Sequence, residues 1–121
     1  MESTSTNLLF ITTDQQRFDS LPCYGLEFLQ TPNLDRLAAE GVVFERCYTP
    51  APVCVPCRAA WMSGQWPSTT GVLSNGQWLD PATPTWPALL GAAGFRTAAI
   101  GKMHFMPWDQ SGGFHERVIA E

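Results

Sequence analysis

Apolar residues come along this chain in short bursts between polar clusters, and the spacing of each burst predicts an element. Asn7–Thr13 (NLLFITT) is a continuous apolar run enriched in β-branched residues and halted by the polar cluster DQQRFDS. That pattern predicts a strand buried on both faces, as in a parallel sheet. TPNLDRLAAEG carries helix punctuation: Thr31 as N-cap, Pro32 at the first helical position and Gly41 just past the end. Leu34, Leu37 and Ala38 form its apolar stripe. VVFERCY reads as a second extended segment. Pro50, Pro52 and Pro56 interrupt the next stretch, and Pro56 is placed to open a helix over CRAAWMSG, ending at Gly64.

Past a Gly/Ser/Asn-rich loop (TTGVLSNGQW), Thr85–Gly94 predicts another helix with a glycine stop. FRTAAIG then predicts a strand ending at Lys102, and ERVIAE another strand beginning. Strand, helix, strand, helix, strand at these lengths implies right-handed crossovers and an α/β fold, a mostly parallel sheet with helices on its faces.

The 121 residues suffice for one compact domain. With 45% hydrophobic and 15% charged residues the chain is globular rather than disordered. A net charge of −4 without any run of Lys or Arg argues against a nucleic-acid or anionic-membrane surface. No segment approaches the length of a transmembrane span. The first residues, MESTSTN, lack a basic or apolar leader region, so a cytoplasmic protein is expected. Four cysteines fall short of a disulfide scaffold, and the isolated Cys23 and Cys47 read as reduced thiols.

Candidate chemistry collects at the predicted carboxyl ends of strands, where loops converge in open parallel sheets. Asp14 and Gln15 follow the first strand, and Lys102 and His104 follow AAIG. Cys54–Arg58 sits at a predicted helix start, where free N–H groups and the helix dipole favour an anion. A carboxylate, an amide oxygen, a sulfur, two cations and an imidazole on one rim suit a hard cation holding a tetrahedral anion. His115 has no partner motif and receives no role.

Cys54-Val55-Pro56-Cys57 also fits the Cys-x-x-Cys of thiol redox proteins. In that reading the motif should closely follow the first strand of a βαβ unit, whereas more than fifty residues precede it. The reading also leaves Asp14, Arg58, Lys102 and His104 without a purpose. A zinc site would need a second ligand pair at suitable spacing, which Cys23 and Cys47 do not form.

The segment CVPCRAAWMSGQWPSTTGV resembles the signature of the sulfatase family, within the alkaline phosphatase superfamily: Cys-x-Pro-x-Arg, small and apolar helical residues, then a hydroxyl-Gly pair (Ser63-Gly64). NLLFITTDQQRFD is similar to that family's first strand and metal loop. TPNLDRLAAEGVVFERCYTPAPVC is similar to its lead into the signature, and GFRTAAIGKMHF to its Gly-Lys-x-His segment. The four blocks keep the family's order from Asn7 to about Phe114.

The resemblance implies a sulfuric ester hydrolase with an alkaline-phosphatase-like α/β fold, residues 1–121 corresponding to the N-terminal part of one catalytic domain. It implies that a formylglycine-generating enzyme oxidises Cys54 to Cα-formylglycine, whose hydrate attacks sulfur with one hydroxyl and expels sulfate by losing the proton of the other. Asp14 and Gln15 would ligate a divalent cation, calcium above all, together with the formylglycine oxygen at Cys54. Arg58 would hold the formylglycine hydroxyl, Lys102 would contact the sulfate, and His104 would take the second hydroxyl's proton. Asn75 would contact the bound anion, and the substrate would be a small-molecule or carbohydrate sulfate ester.

Two departures stand out. Gln15 occupies a position where many sulfatases carry a second Asp, a pairing shared with phosphonate and phosphate ester hydrolases of the superfamily. Lys102 with His104 points back to sulfate esters. Cys57 fills a position where a small residue is common, and a Cys54–Cys57 disulfide would block modification. An all-oxygen calcium site takes about six or more ligands, so the 121 residues alone are expected to be inactive and marginally folded. A non-catalytic remnant that binds no metal is the remaining alternative.

Overall fold

The structure, a computed structural model, describes residues 6–105, 107 and 109–120. They divide into two compact units, 1–47 and 48–121.

In the first unit, two 3-10 turns, Phe18–Ser20 and Pro22–Tyr24, precede helix α1, Pro32–Glu40. Helix α1 has the predicted punctuation: Thr31 is the N-cap, Pro32 opens the first turn and Gly41 closes the last. Thr31 Oγ1 donates to Asp35 Oδ1 (3.2 Å), and Asp35 in the first turn complements the dipole. Its apolar stripe is only partly covered: Ala38 is half-buried, while Leu34 is 46% and Leu37 65% exposed. The Tyr24 hydroxyl reaches forward to the Phe44 carbonyl (3.0 Å).

Two expected strands do not form in this unit. Residues 7–13 and 42–48 have no regular secondary structure beyond a turn at 45–46 and join no ladder, and Leu9, Ile11, Val42 and Phe44 are exposed. The physical reason is pairing. A strand buried on both faces needs neighbours on each edge and layers above and below, and the sole sheet among the described residues pairs other segments.

The second unit holds helices α2 (Cys54–Ser63), α3 (Pro67–Thr70) and α4 (Trp86–Ala92) and strands β1 (Ala98–Gly101) and β2 (Glu116–Ile119). Helix α2 starts two residues earlier than Pro56, with Val53 as N-cap, and ends at Gly64 in the left-handed region (φ 69°). Proline is tolerated throughout the first turn, where its missing N–H is unused, so Pro56 sits inside the helix rather than at its head. Helix α4 lies within the predicted span, with Thr85 as N-cap and Pro87 in its first turn.

Strands β1 and β2 pair in parallel with Ala98 opposite Glu116 and Ile100 opposite Val118. Residues 102–115 make the crossover, long enough to join parallel strands, and its described residues include no helix. His115 locks the start of the pair: its Nδ1 accepts from Thr97 N–H (3.1 Å), while its own N–H donates to the Thr97 carbonyl (3.1 Å). Arg117 Nη2 returns to the Asp109 carbonyl (2.7 Å), tying the crossover to β2.

Every fully buried residue described lies in this second unit. Val55, Ala59 and Val72 form the core cluster, with Leu79 packed against it, and Met62 is 1% exposed. Trp86 and Phe114 meet edge to face at 5.6 Å.

Candidate active site

The site begins at the head of α2. Cys54 occupies the first helical position and Arg58 stands one turn on, so both side chains project from one face. Val53, the N-cap, has no side-chain oxygen for the orphan N–H groups of the first turn. The acceptor comes from the loop after α3, where Asn75 Oδ1 takes the Val55 N–H at 3.0 Å. Asn75 thereby stands beside the turn that carries Cys54.

Arg58 is 7% exposed, and its Nη1 donates to the Lys102 carbonyl at 2.6 Å. A buried guanidinium demands such acceptors. Lys102 follows Gly101, whose φ of 98° turns the chain sharply at the carboxyl end of β1. From there the Lys102 ammonium reaches back to Cys54, with Nζ 3.7 Å from Sγ. The helix and the strand end are thus joined twice, by Arg58 going one way and Lys102 the other.

His104 lies two residues further, in the left-handed region with φ 53°. Its Nδ1 is shielded from solvent, and its side chain lines a cavity of about 220 Å³. Val55, Ala59 and Met62 of α2 form one wall of that cavity, and Phe105 and Gly112 are on another. Gly112 is needed there, since a Cβ would stand 2.6 Å from the Phe105 ring. Left-handed backbone at a non-glycine residue costs of order 1–3 kcal/mol and clusters at functional positions. Among the described residues just two non-glycines have it, Gln15 (φ 56°) and His104, and both were singled out from the sequence.

The structure therefore brings Cys54, Arg58 and Lys102 into direct contact and sets Asn75 against the same helix turn. Asp14 and Gln15 belong to the first unit. They are adjacent oxygen donors, a set suited to a hard cation. No group of three or more His, Cys, Asp or Glu side chains gathers among the described residues. All four cysteines are free, and Cys57 Sγ meets Thr49 Oγ1 at 3.1 Å.

Charge is perturbed elsewhere. The Arg17 guanidinium, hydrogen-bonded to Asp19, holds that carboxyl below its ordinary range and is itself raised. Arg96 is raised by its hydrogen bond to Glu116. Sequence reasoning did not find Gln77, which organises the Asn75 loop, nor the Thr97–His115 lock. A glutamine in a Ser-Asn-Gly-Gln loop has no periodicity to mark it.

A parallel strand pair, a helix head presenting a cysteine, and a lysine delivered from a strand end define an α/β protein with a cation set against a sulfur side chain. Residues 6–120 match the Sulfatase family, and the chain belongs to that family. It is 40% identical to the choline-sulfatase of Rhizobium meliloti over all of its own length and 24% of that protein's. It is 35% identical to the N-acetylglucosamine-6-O-sulfatase of Bacteroides thetaiotaomicron, over 96% of this chain and 22% of that one. A solved structure of a protein in complex with its substrate D-glucosamine-2-N,6-O-disulfate superposes with a TM-score of 0.75 at 36% identity, covering 82% of this chain and 20% of that one. The fold class is thus the alkaline-phosphatase-like α/β class of these neighbours. The chain spans about a quarter of the length of the curated relatives it matches. No helix among the described residues is long and apolar enough to cross a membrane.

Proposed function

We propose that this chain carries the nucleophile segment of a sulfate ester hydrolase, with Cys54 as the side chain that is oxidised to formylglycine. The observation that carries the reading is the double tie between helix and strand end. Lys102 Nζ lies 3.7 Å from Cys54 Sγ, and Arg58 holds the Lys102 carbonyl at 2.6 Å.

A sulfate ester is a tetrahedral anion, and breaking the bond between sulfur and the alcohol oxygen builds charge on the oxygens. The Lys102 ammonium, beside the reacting side chain, offsets that charge. Arg58 fixes the backbone from which Lys102 projects, so the ammonium does not have to be ordered during the reaction. His104, shielded at Nδ1, holds or takes a proton at its imidazole. Asn75 has an amide group at the same helix turn from which to donate to the anion. Hydrated formylglycine, when formed, supplies one hydroxyl to attack and a second to release sulfate. Asp14 and Gln15 would be oxygen ligands of the divalent cation, which would polarise the sulfate. The remaining ligands come from outside the 121 residues, which make up one part of a single catalytic domain. The substrate class is a small-molecule or carbohydrate sulfate ester, as the names of the relatives suggest.

The test uses the native protein produced together with a formylglycine-generating enzyme. Mass spectrometry of the peptide containing Cys54 is expected to show a residue lighter than cysteine, and an aryl sulfate to be hydrolysed in preference to an aryl phosphonate. Cys54→Ser is expected to lower turnover on the order of 10⁴-fold, and a chelator to lower it reversibly. An unmodified or disulfide-bonded Cys54 in active protein would overturn the reading, and preference for the phosphonate would move the chain to the neighbouring hydrolases.

A further inference from the structure

Helix α2 has a nucleophile at its first position and no capping side chain of its own. Its N-cap is Val53, and no hydrogen bond from that side chain closes the first turn. Such turns are normally closed locally by Ser, Thr, Asp or Asn at the N-cap. Here the acceptor arrives from twenty residues downstream, as Asn75 Oδ1 on Val55 N–H.

The loop that delivers Asn75 is itself built. Gln77 Oε1 accepts from Leu73 N–H (2.6 Å) and Ser74 N–H (2.9 Å), and Gln77 N–H donates to the Ser74 carbonyl (3.2 Å). One side-chain oxygen thus pins two successive backbone amides immediately before Asn75. On the other side of Leu73, Val72 is 1% exposed and packs in the same cluster as Val55 and Ala59 of α2. The loop is anchored to the helix through the core below and through Asn75 above.

We propose that residues 72–77 act as a remote cap that sets the first turn of α2, and that Asn75 and Gln77 are positioning residues for the side chain at Cys54. Asn75 acts through Val55 N–H, one residue from Cys54. Gln77 acts through the loop and touches no part of the Cys54–Lys102 pair. The role in the reaction rests on the hydrolase reading above, whereas the cap does not.

An acceptor oxygen is all that either task needs, so Asp at 75 and Glu at 77 retain it while Ala loses it. The experiment compares native protein with Asn75→Ala, Asn75→Asp, Gln77→Ala and Gln77→Glu. Two readouts are taken: amide hydrogen exchange at Val55, and kcat and KM for an aryl sulfate. Both Ala variants are expected to lose about fivefold protection at Val55, the size of a lost cap, and both acidic variants to stay within about twofold of wild type. Gln77→Ala is expected to lower kcat about fivefold with KM little changed, because an exposed loop residue away from the anion affects placement rather than binding. Gln77→Glu restores kcat.

Unchanged exchange at Val55 in Asn75→Ala and Gln77→Ala would overturn the cap. A Gln77→Ala protein with normal kcat, or one that loses kcat without rescue by Glu, would overturn the positioning role. Wild type that hydrolyses no sulfate ester yet shows the expected exchange pattern would sink the hydrolase reading and leave the remote cap standing.

Discussion

The two units have equally clear hydrophobic patterning and very different burial. Residues 48–121 contain Val55, Ala59, Met62, Val72 and Ala99, all buried, together with the buried Arg58. In residues 6–47 no described residue is fully buried, and Leu9, Ile11, Phe28 and Leu37 stand largely in solvent. The contrast shows that an apolar run specifies a need for cover, and the cover itself must come from other elements. Helix α2 finds it in the loop after α3, in Leu79 and in the crossover residues. Helix α1 and residues 7–13 have the same need, yet Leu9, Ile11 and Leu37 stay largely exposed. Burial also determines which charges are consequential. Arg58, enclosed, is tied to a carbonyl, while Arg17 pairs with Asp19 in open water, where such pairs contribute little.

Four measurements would break or sharpen this contrast. The largest effect is expected from Lys102→Ala in the second unit, a loss of about 10²–10³ in kcat/KM for a sulfate ester, as for removal of an oxyanion donor. Arg58 and the fold should survive that change, so circular dichroism is expected to match wild type. A loss below about tenfold would remove Lys102 from the reacting centre.

Next comes packing. Met62→Ala should cost about 2–5 kcal/mol in denaturant unfolding, since a fully buried side chain leaves a cavity. Leu37→Ala should stay within about 0.5 kcal/mol. A Leu37 effect as large as that of Met62 would mean that the α1 stripe is covered in the native protein, and the contrast would fail.

The backbone offers a smaller comparison, with one left-handed non-glycine in each unit. His104→Val should be about 1–2 kcal/mol less stable than His104→Asn, because a β-branched residue resists that conformation and Asn accepts it. The corresponding difference at Gln15 should be smaller, since that segment has no buried neighbour residues to hold its φ.

The smallest effect concerns pH. Hydrogen bonding to Arg17 lowers Asp19 below its ordinary 3.8. Near that pH the folded chain therefore binds fewer protons at Asp19 than the unfolded chain. The stabilisation is present above the ordinary value and fades as pH falls through the folded one. Melting temperatures of wild type and Asp19→Asn should converge in acid. The exposure of Arg17 keeps the gap small, and a wide gap would show that the first unit is better packed around Arg17 than its exposure indicates.

Much of the second unit was legible because its signals are local. Thr85 and Gly94 bracket α4, Gly64 ends α2, and AAIG forms β1 within the segment predicted as a strand. Cys54, Arg58 and Lys102 were legible as a group through their motifs. The strands expected at 7–13 and 42–48 were not realised, because strand pairing is a property of partners rather than of the run itself. Pro56 misplaced the head of α2, since proline marks the first turn and does not say which of its positions it occupies.

By itself the sequence determined the helix punctuation and the order of the Cys-x-Pro-x-Arg and Gly-Lys-x-His blocks, both of which depend on neighbours along the chain. Only the tertiary structure decided that Lys102 reaches Cys54 across 48 positions, that Arg58 donates to the Lys102 carbonyl, and that Asn75 caps a helix twenty residues before it. Those contacts close long loops, and their partners are selected by packing of the core beneath them, which no local pattern encodes.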